Sequence, residues 1–136
     1  MKALPGASAS ATLTVLPADT APALASGDVP VLATPRLLAL CEEATVAAVA
    51  PFLEEGETTV GSRVELEHLL PSLPGARVEA TAVLQLVAGR RLTFALTARE
   101  GDRVVGRGTI HRVVVDRRRF LAQAGGLDAR GESGPE

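Results

Sequence analysis

One segment restricts the possible folds more than any other: from Arg36 to about Ala50 the chain runs without glycine or proline, bracketed by Thr34-Pro35 and by Pro51. Threonine followed by proline is a helix-start pattern, with Thr34 as N-cap and Pro35 in the first turn, and Pro51 ends the run. The segment is apolar most of the way round, with Leu37, Leu38, Leu40, Val46 and Val49 set among Ala39, Ala44, Ala47 and Ala48. A surface helix would show a cleaner polar face, so this one is expected to be covered on several sides.

The cover must come from strands. ATLTVL at 11–16 reads as a short first strand, and the Pro/Gly/Ala-dense stretch 17–30 as an irregular crossing segment. After the helix, strand-like runs follow at Thr59 to Leu70, Ala76 to Ala88, Arg91 to Arg99 and Asp102 to Val115, separated by turn residues. Gly106 and Gly108 in the last run point to a bulge or a close backbone approach. One helix followed by four long antiparallel strands buries its own surface and the sheet only if the sheet curls around it. The expected class is therefore α+β, a hotdog fold with one long central helix wrapped by a curled antiparallel β-sheet.

A chain of 136 residues suits one domain. Residues 1–10 are expected to be a flexible N-terminus, 11–120 the single hotdog domain, and 121–136 a disordered C-terminal tail with nothing to bury. Three Phe and no Trp or Tyr leave no stacking platform for single-stranded nucleic acid, and a net charge of −2 agrees with excluding that partner. The run Arg117, Arg118 and Arg119 reads as a solvated face. Cys41 is the only cysteine, so no internal disulfide and no cysteine-rich zinc site is expected. No apolar stretch is long enough for a signal peptide or a membrane span, which points to a cytoplasmic protein with no membrane partner.

Two kinds of polar group stand out in the apolar elements. In TVGSRVELEHLL, Val60, Ser62, Val64, Leu66, His68 and Leu70 form a mostly apolar row, opposed by Arg63, Glu65 and Glu67, so His68 is expected to point inward. A buried imidazole needs a partner, and Glu42 and Glu43 are the only carboxylates between Thr34 and Pro51. Helical neighbours diverge by about 100 degrees, so at most one faces the sheet squarely, and spacing does not choose between them. Solvation of both acids at one helix edge, and a satisfied core histidine at 68, are the plain alternatives. Thr34 is an N-cap on pattern alone, yet its hydroxyl sits where the helix dipole would polarise a carbonyl. His111, within a strand beside Arg112, reads as structural.

The stretch ALCEEATVAAVAPFLEEGETTVGSRVELEHLLPSLPG, followed by VAGRRLTFALTAREGDRVVGRGTIHRVVV, resembles the hotdog-fold fluoroacetyl-CoA thioesterases and their thioesterase-like relatives over roughly residues 30 to 120. The resemblance implies a catalytic group of Thr34, Glu42 and His68, favouring Glu42 over Glu43, with Gly61 and Arg112 as substrate-binding residues. It implies hydrolysis of a small or short-chain acyl-CoA to free acid and CoA and a homodimer with sites near the subunit boundary. No cofactor is expected, and two histidines in separate strands without an acidic cluster beside them argue against a metal centre. The aromatic lid that the specialised enzymes carry ahead of the catalytic threonine has no counterpart in SGDVPVLA, so selectivity for a fluorinated acyl group is not expected. A non-catalytic acyl-CoA-binding module and a hotdog hydratase or dehydratase are the rival functions on the same scaffold.

Overall fold

The computed structural model describes residues 1–125. Its elements are β1 (Ser8–Thr14), α1 (Thr34–Val49), β2 (Glu57–His68), β3 (Arg77–Ala88), β4 (Arg91–Glu100), β5 (Arg103–Asp116) and α2 (Arg117–Gln123). Short 3-10 turns at Pro17–Asp19 and Ala50–Phe52 precede and follow α1. The five strands form one antiparallel sheet in the order β1-β3-β4-β5-β2, so β1 and β2 are its two edges. No helix among the described residues is long and apolar enough to cross a membrane.

Strand alternation builds the core. Val78, Ala80, Ala82 and Leu84 of β3 and Leu92, Phe94, Leu96 and Ala98 of β4 are all buried on the helix side. They meet Leu37, Leu40, Cys41, Ala44, Ala48 and Val49 of α1 in one cluster, in which the fully buried Phe94 contributes about 2–3 kcal/mol. The alanines let the helix approach closely. α1 lies mainly over β1 and β3 and only touches β2, β4 and β5, so the wrap is one-sided. Ala39, Glu43, Val46 and Ala47 stay exposed on the uncovered face.

Several expectations change in detail. β1 starts at Ser8, within the segment expected to be flexible, and the residues before it are tied down. Ala3 is buried, the Lys2 N–H donates to the Phe52 carbonyl, and the Gly6 N–H donates to the Leu84 carbonyl. At the other end α2 extends the fold to Gln123, three residues into the expected tail, with the Asp116 carboxylate accepting from the Arg119 N–H. The remainder of that tail, from 126 onward, lies outside the described residues. The crossing segment is fastened rather than irregular: Thr20 bridges to Leu32, and Asp19 pairs with Arg36 at 3.2 Å.

The N-cap is Ala33, not Thr34. The Ala33 carbonyl accepts the first helical bonds, from Arg36 and Leu37, and Ala33 itself is extended (φ −70, ψ 141). Thr34 is thus the first helical residue, and its hydroxyl is free to bond elsewhere. A second correction concerns β2. Gly61 pairs with Arg112 and Arg63 with His111, which leaves Ser62 as an extra residue, a β-bulge. The bulge breaks the alternation read from the sequence: Thr59 and Gly61 face the helix before it, and Leu66 and His68 after it. Without it, Gly61 and His68 would lie on opposite faces of the sheet. The Ser62 hydroxyl donates to the His111 carbonyl at 3.2 Å and so occupies an acceptor at the distorted place in the ladder.

Candidate active site

The polar residues on the helix side of β2 fall into two groups. In the first, Thr34 Oγ1 and His68 Nδ1 share a hydrogen bond of 2.8 Å. The start of α1 supplies the hydroxyl, and the last residue of β2 supplies the ring. His68 Nε2 is shielded from solvent yet has no protein partner among the described residues. It lies at a cavity of about 350 Å³ that His68 and Thr34 line together with Ala21, Asp28, Val29 and Leu69. Burial pushes the His68 pKa below its ordinary value, against a smaller opposing effect from the Leu70 backbone. The ring is therefore neutral near pH 7. If the threonine hydroxyl donates to Nδ1, Nε2 carries a proton to give; in the other tautomer Nε2 is a bare base.

The second group is built on Arg112. Its side chain, 7% exposed, donates through Nε to Thr59 Oγ1 at 3.0 Å and through Nη2 to the Thr59 carbonyl at 3.0 Å. Nη1 donates to Glu42 Oε2 at 3.3 Å. Burial lowers the Arg112 pKa while Glu42 acts to raise it, and the guanidinium remains charged. Glu42 is half-exposed, so Arg112 holds the carboxylate without enclosing it. A Cβ placed on Gly61 would sit 2.9 Å from Glu42 Oε2, so the carboxylate rests against the bare backbone of β2 at that glycine. The choice left open by spacing is thereby made in space: Glu42 faces the sheet and Glu43 faces out. Beside Glu42, burial and the neighbouring carboxylate push the Cys41 thiol up to about 11, which leaves it unreactive.

Within one chain the two groups do not meet. Thr34 and Glu42 are separated by eight helical residues, about 12 Å along the axis. Gly61 and His68 are seven strand residues apart, roughly 20 Å. Among the described residues no hydrogen bond or ion pair joins Glu42 to Thr34 or His68, and Glu42 does not line the cavity at His68. Arg112, expected from the resemblance to contact substrate, donates to Glu42 and Thr59 in this structure. Thr59 was not singled out in the sequence, although its place two residues before Gly61 on the same strand face was the available signal. His111 points away from the helix, with Nδ1 3.3 Å from the Thr93 hydroxyl.

Comparison with known proteins agrees with this architecture. The family model described as fluoroacetyl-CoA-specific thioesterase matches residues 15–118. A fluoroacetyl-CoA thioesterase from Streptantibioticus cattleyicolor is 39% identical over 93 residues, which are 68% of this chain and 67% of that protein. A solved structure of a fluoroacetyl-CoA thioesterase superposes with a TM-score of 0.85 at 32% identity, covering 91% of this chain and 96% of that one. A hot-dog-like protein from Thermanaerovibrio acidaminovorans gives a TM-score of 0.81 at 25% identity, over 88% of this chain and 89% of that one. With the hotdog sheet and helix in place, the chain belongs to the fluoroacetyl-CoA-specific thioesterase family and is a thioester hydrolase.

Proposed function

We propose that this acyl-CoA thioesterase works as a cytoplasmic homodimer in which each active site combines Glu42 and Gly61 of one subunit with Thr34 and His68 of the other. The observation that carries the reading is the split just described: an imidazole with an uncommitted, shielded nitrogen at one end of β2, and an anchored carboxylate at the other. β2 is an unpaired sheet edge, exposed from Gly61 to Glu65, and such an edge is a template for pairing with another chain. A two-fold antiparallel pairing centred at Glu65 sets Arg63 across from the partner's Glu67. It also brings the bulge and Gly61 beside His68 of the partner subunit. The cytoplasm is where acyl-CoA thioesters are made and used, which supports that location.

In this arrangement the thioester carbonyl lies over Gly61, where the bulge leaves backbone amides outside the regular ladder as donors for the developing oxyanion. Glu42, aimed by its hydrogen bond from Arg112, attacks the carbonyl carbon or takes a proton from a water that does. The C–S bond breaks and CoA leaves as its thiolate; the neutral His68, with Nε2 bare, takes up the proton that the attacking water gives up and passes it to the thiolate. If Glu42 attacks, water then hydrolyses the acyl-glutamyl anhydride and restores the carboxylate. Thr34 fixes the His68 tautomer and ring orientation. The test is thiol release from acetyl- and butyryl-CoA: Glu42→Gln is expected to lose at least about 10²-fold in kcat. Normal turnover by that variant would sink the assignment. Hydration of an enoyl-CoA without thiol release would favour a hydratase instead.

A further inference from the structure

The cavity at Thr34 and His68 does not end where a two-carbon acyl group would. A second cavity, of about 310 Å³, is lined by Val31, Pro71, Leu73, Glu100 and Arg103. Val31 and Pro71 border both cavities, so the two adjoin across those residues. The volume at His68 alone, about 350 Å³, would hold on the order of ten atoms of water size at ~30 Å³ each. An acetyl group has far fewer.

The walls are mostly aliphatic and are held by backbone hydrogen bonds. Val29 is 59% exposed and Leu73 67%, and Leu69 and Leu70 are also open to solvent, an unusual concentration of aliphatic surface on one rim. Backbone bonds hold that rim from both sides. The Leu32 N–H donates to the Ser72 carbonyl at 2.8 Å, the Ala21 N–H to the Val31 carbonyl at 3.0 Å, and the Leu69 N–H to the Val105 carbonyl at 2.8 Å. At the far end Arg103 pairs with Glu100 at 3.6 Å and donates to the Pro71 carbonyl at 3.4 Å, so its charge is already engaged. The one acidic side chain at the first cavity is Asp28, which has no hydrogen-bond or ion-pair partner among the described residues.

We infer that these adjoining cavities form one acyl groove for a neutral, unbranched aliphatic chain, running from His68 past Val31 and Pro71 toward Leu73. This rests on the hydrolytic reading of Thr34 and His68 given above. From His68 to Pro71 the chain leaves β2 and bends at Leu70, so those three residues span at most about 10 Å, which limits the groove to roughly six to eight acyl carbons. The aliphatic rim binds the methylenes, and Asp28 repels an acyl group that ends in a second carboxylate.

The experiment measures kcat/KM for thiol release by the full chain from acetyl-, butyryl-, hexanoyl-, octanoyl- and glutaryl-CoA. Each added methylene up to hexanoyl is expected to raise kcat/KM about two- to fourfold, the upper value matching full burial of a CH₂. Glutaryl-CoA is expected to fall at least tenfold below butyryl-CoA, and Asp28→Asn to narrow that gap. Val31→Phe, which obstructs the passage, is expected to lower the hexanoyl-to-acetyl ratio. Leu73→Asp changes an exposed residue, so folding is not at stake, and it is expected to lower the octanoyl-to-hexanoyl ratio. Thiol release with a flat or falling length profile, or ratios untouched by both groove variants, overturns the groove and leaves the hydrolytic reading standing. Release from none of the acyl-CoAs overturns both.

Discussion

Glu42→Gln and His68→Ala each disable a different half of the proposed site, so mixing the two variants asks where the halves meet. Within one subunit the carboxylate and the imidazole are held apart by about 12 Å of helix on one side and roughly 20 Å of strand on the other. A glutamate side chain spans neither gap. If the sites form across the β2 edge, a dimer of one Glu42→Gln and one His68→Ala subunit contains one site with both groups intact and one with neither. Random reassortment makes half of the dimers mixed, so the mixture should regain about one quarter of wild-type turnover. Mixed dimers isolated through two different affinity tags should regain about one half. The assay is thiol release from butyryl-CoA after co-expression, beside each parent variant expressed alone. Mixed dimers that are isolated and prove as inactive as their parents would refute the composite site, as would a wild-type enzyme that turns over as a monomer.

Three further outcomes follow from the same geometry. Gly61→Ala puts a methyl group 2.9 Å from Glu42 Oε2, so the carboxylate must swing away. A shift of about 1 Å costs on the order of 10²-fold in kcat, while the melting temperature, read by calorimetry, should change little. Arg112→Met removes three hydrogen bonds and leaves the Thr59 carbonyl and Glu42 without their donor. Chemical denaturation should show a loss of about 2 kcal/mol, below the range for a fully buried pair because Glu42 stays half-exposed. His68 has a folded pKa below its ordinary 6.5, so the unfolded chain binds the proton more readily. Stability should therefore be unaffected by this group above about pH 6.5, fall as pH drops from there through the folded pKa, and then level off. His68→Asn should remove that part of the acid-induced decline in thermal melts, and an unchanged profile would count against the buried neutral ring.

What the sequence determined by itself was the set of elements. The proline-bracketed apolar run of α1, the alternation in β3 and β4 and the turn residues between strands each act over a few residues, so local pattern carried them, and from them the curled sheet with one covering helix. The residue types of the site were equally legible, because a histidine and an acid in apolar elements are conspicuous. Only the tertiary structure decided which of Glu42 and Glu43 faces the sheet, since that choice depends on the rotation of α1 against β1 and β3. The same holds for the bulge at Ser62. One unpaired residue reverses the facing of everything before it, and the cause is the register between β2 and β5, which the composition of β2 does not encode. Thr34 is the clearest case: by local chemistry it is a cap, and it becomes the partner of His68 because the end of β2 arrives beside it and the Ala33 carbonyl has already begun the helix. The pairing of Arg112 with Glu42, seventy positions apart in the chain, is likewise a product of packing, because no local pattern relates residues that only the folded sheet brings together.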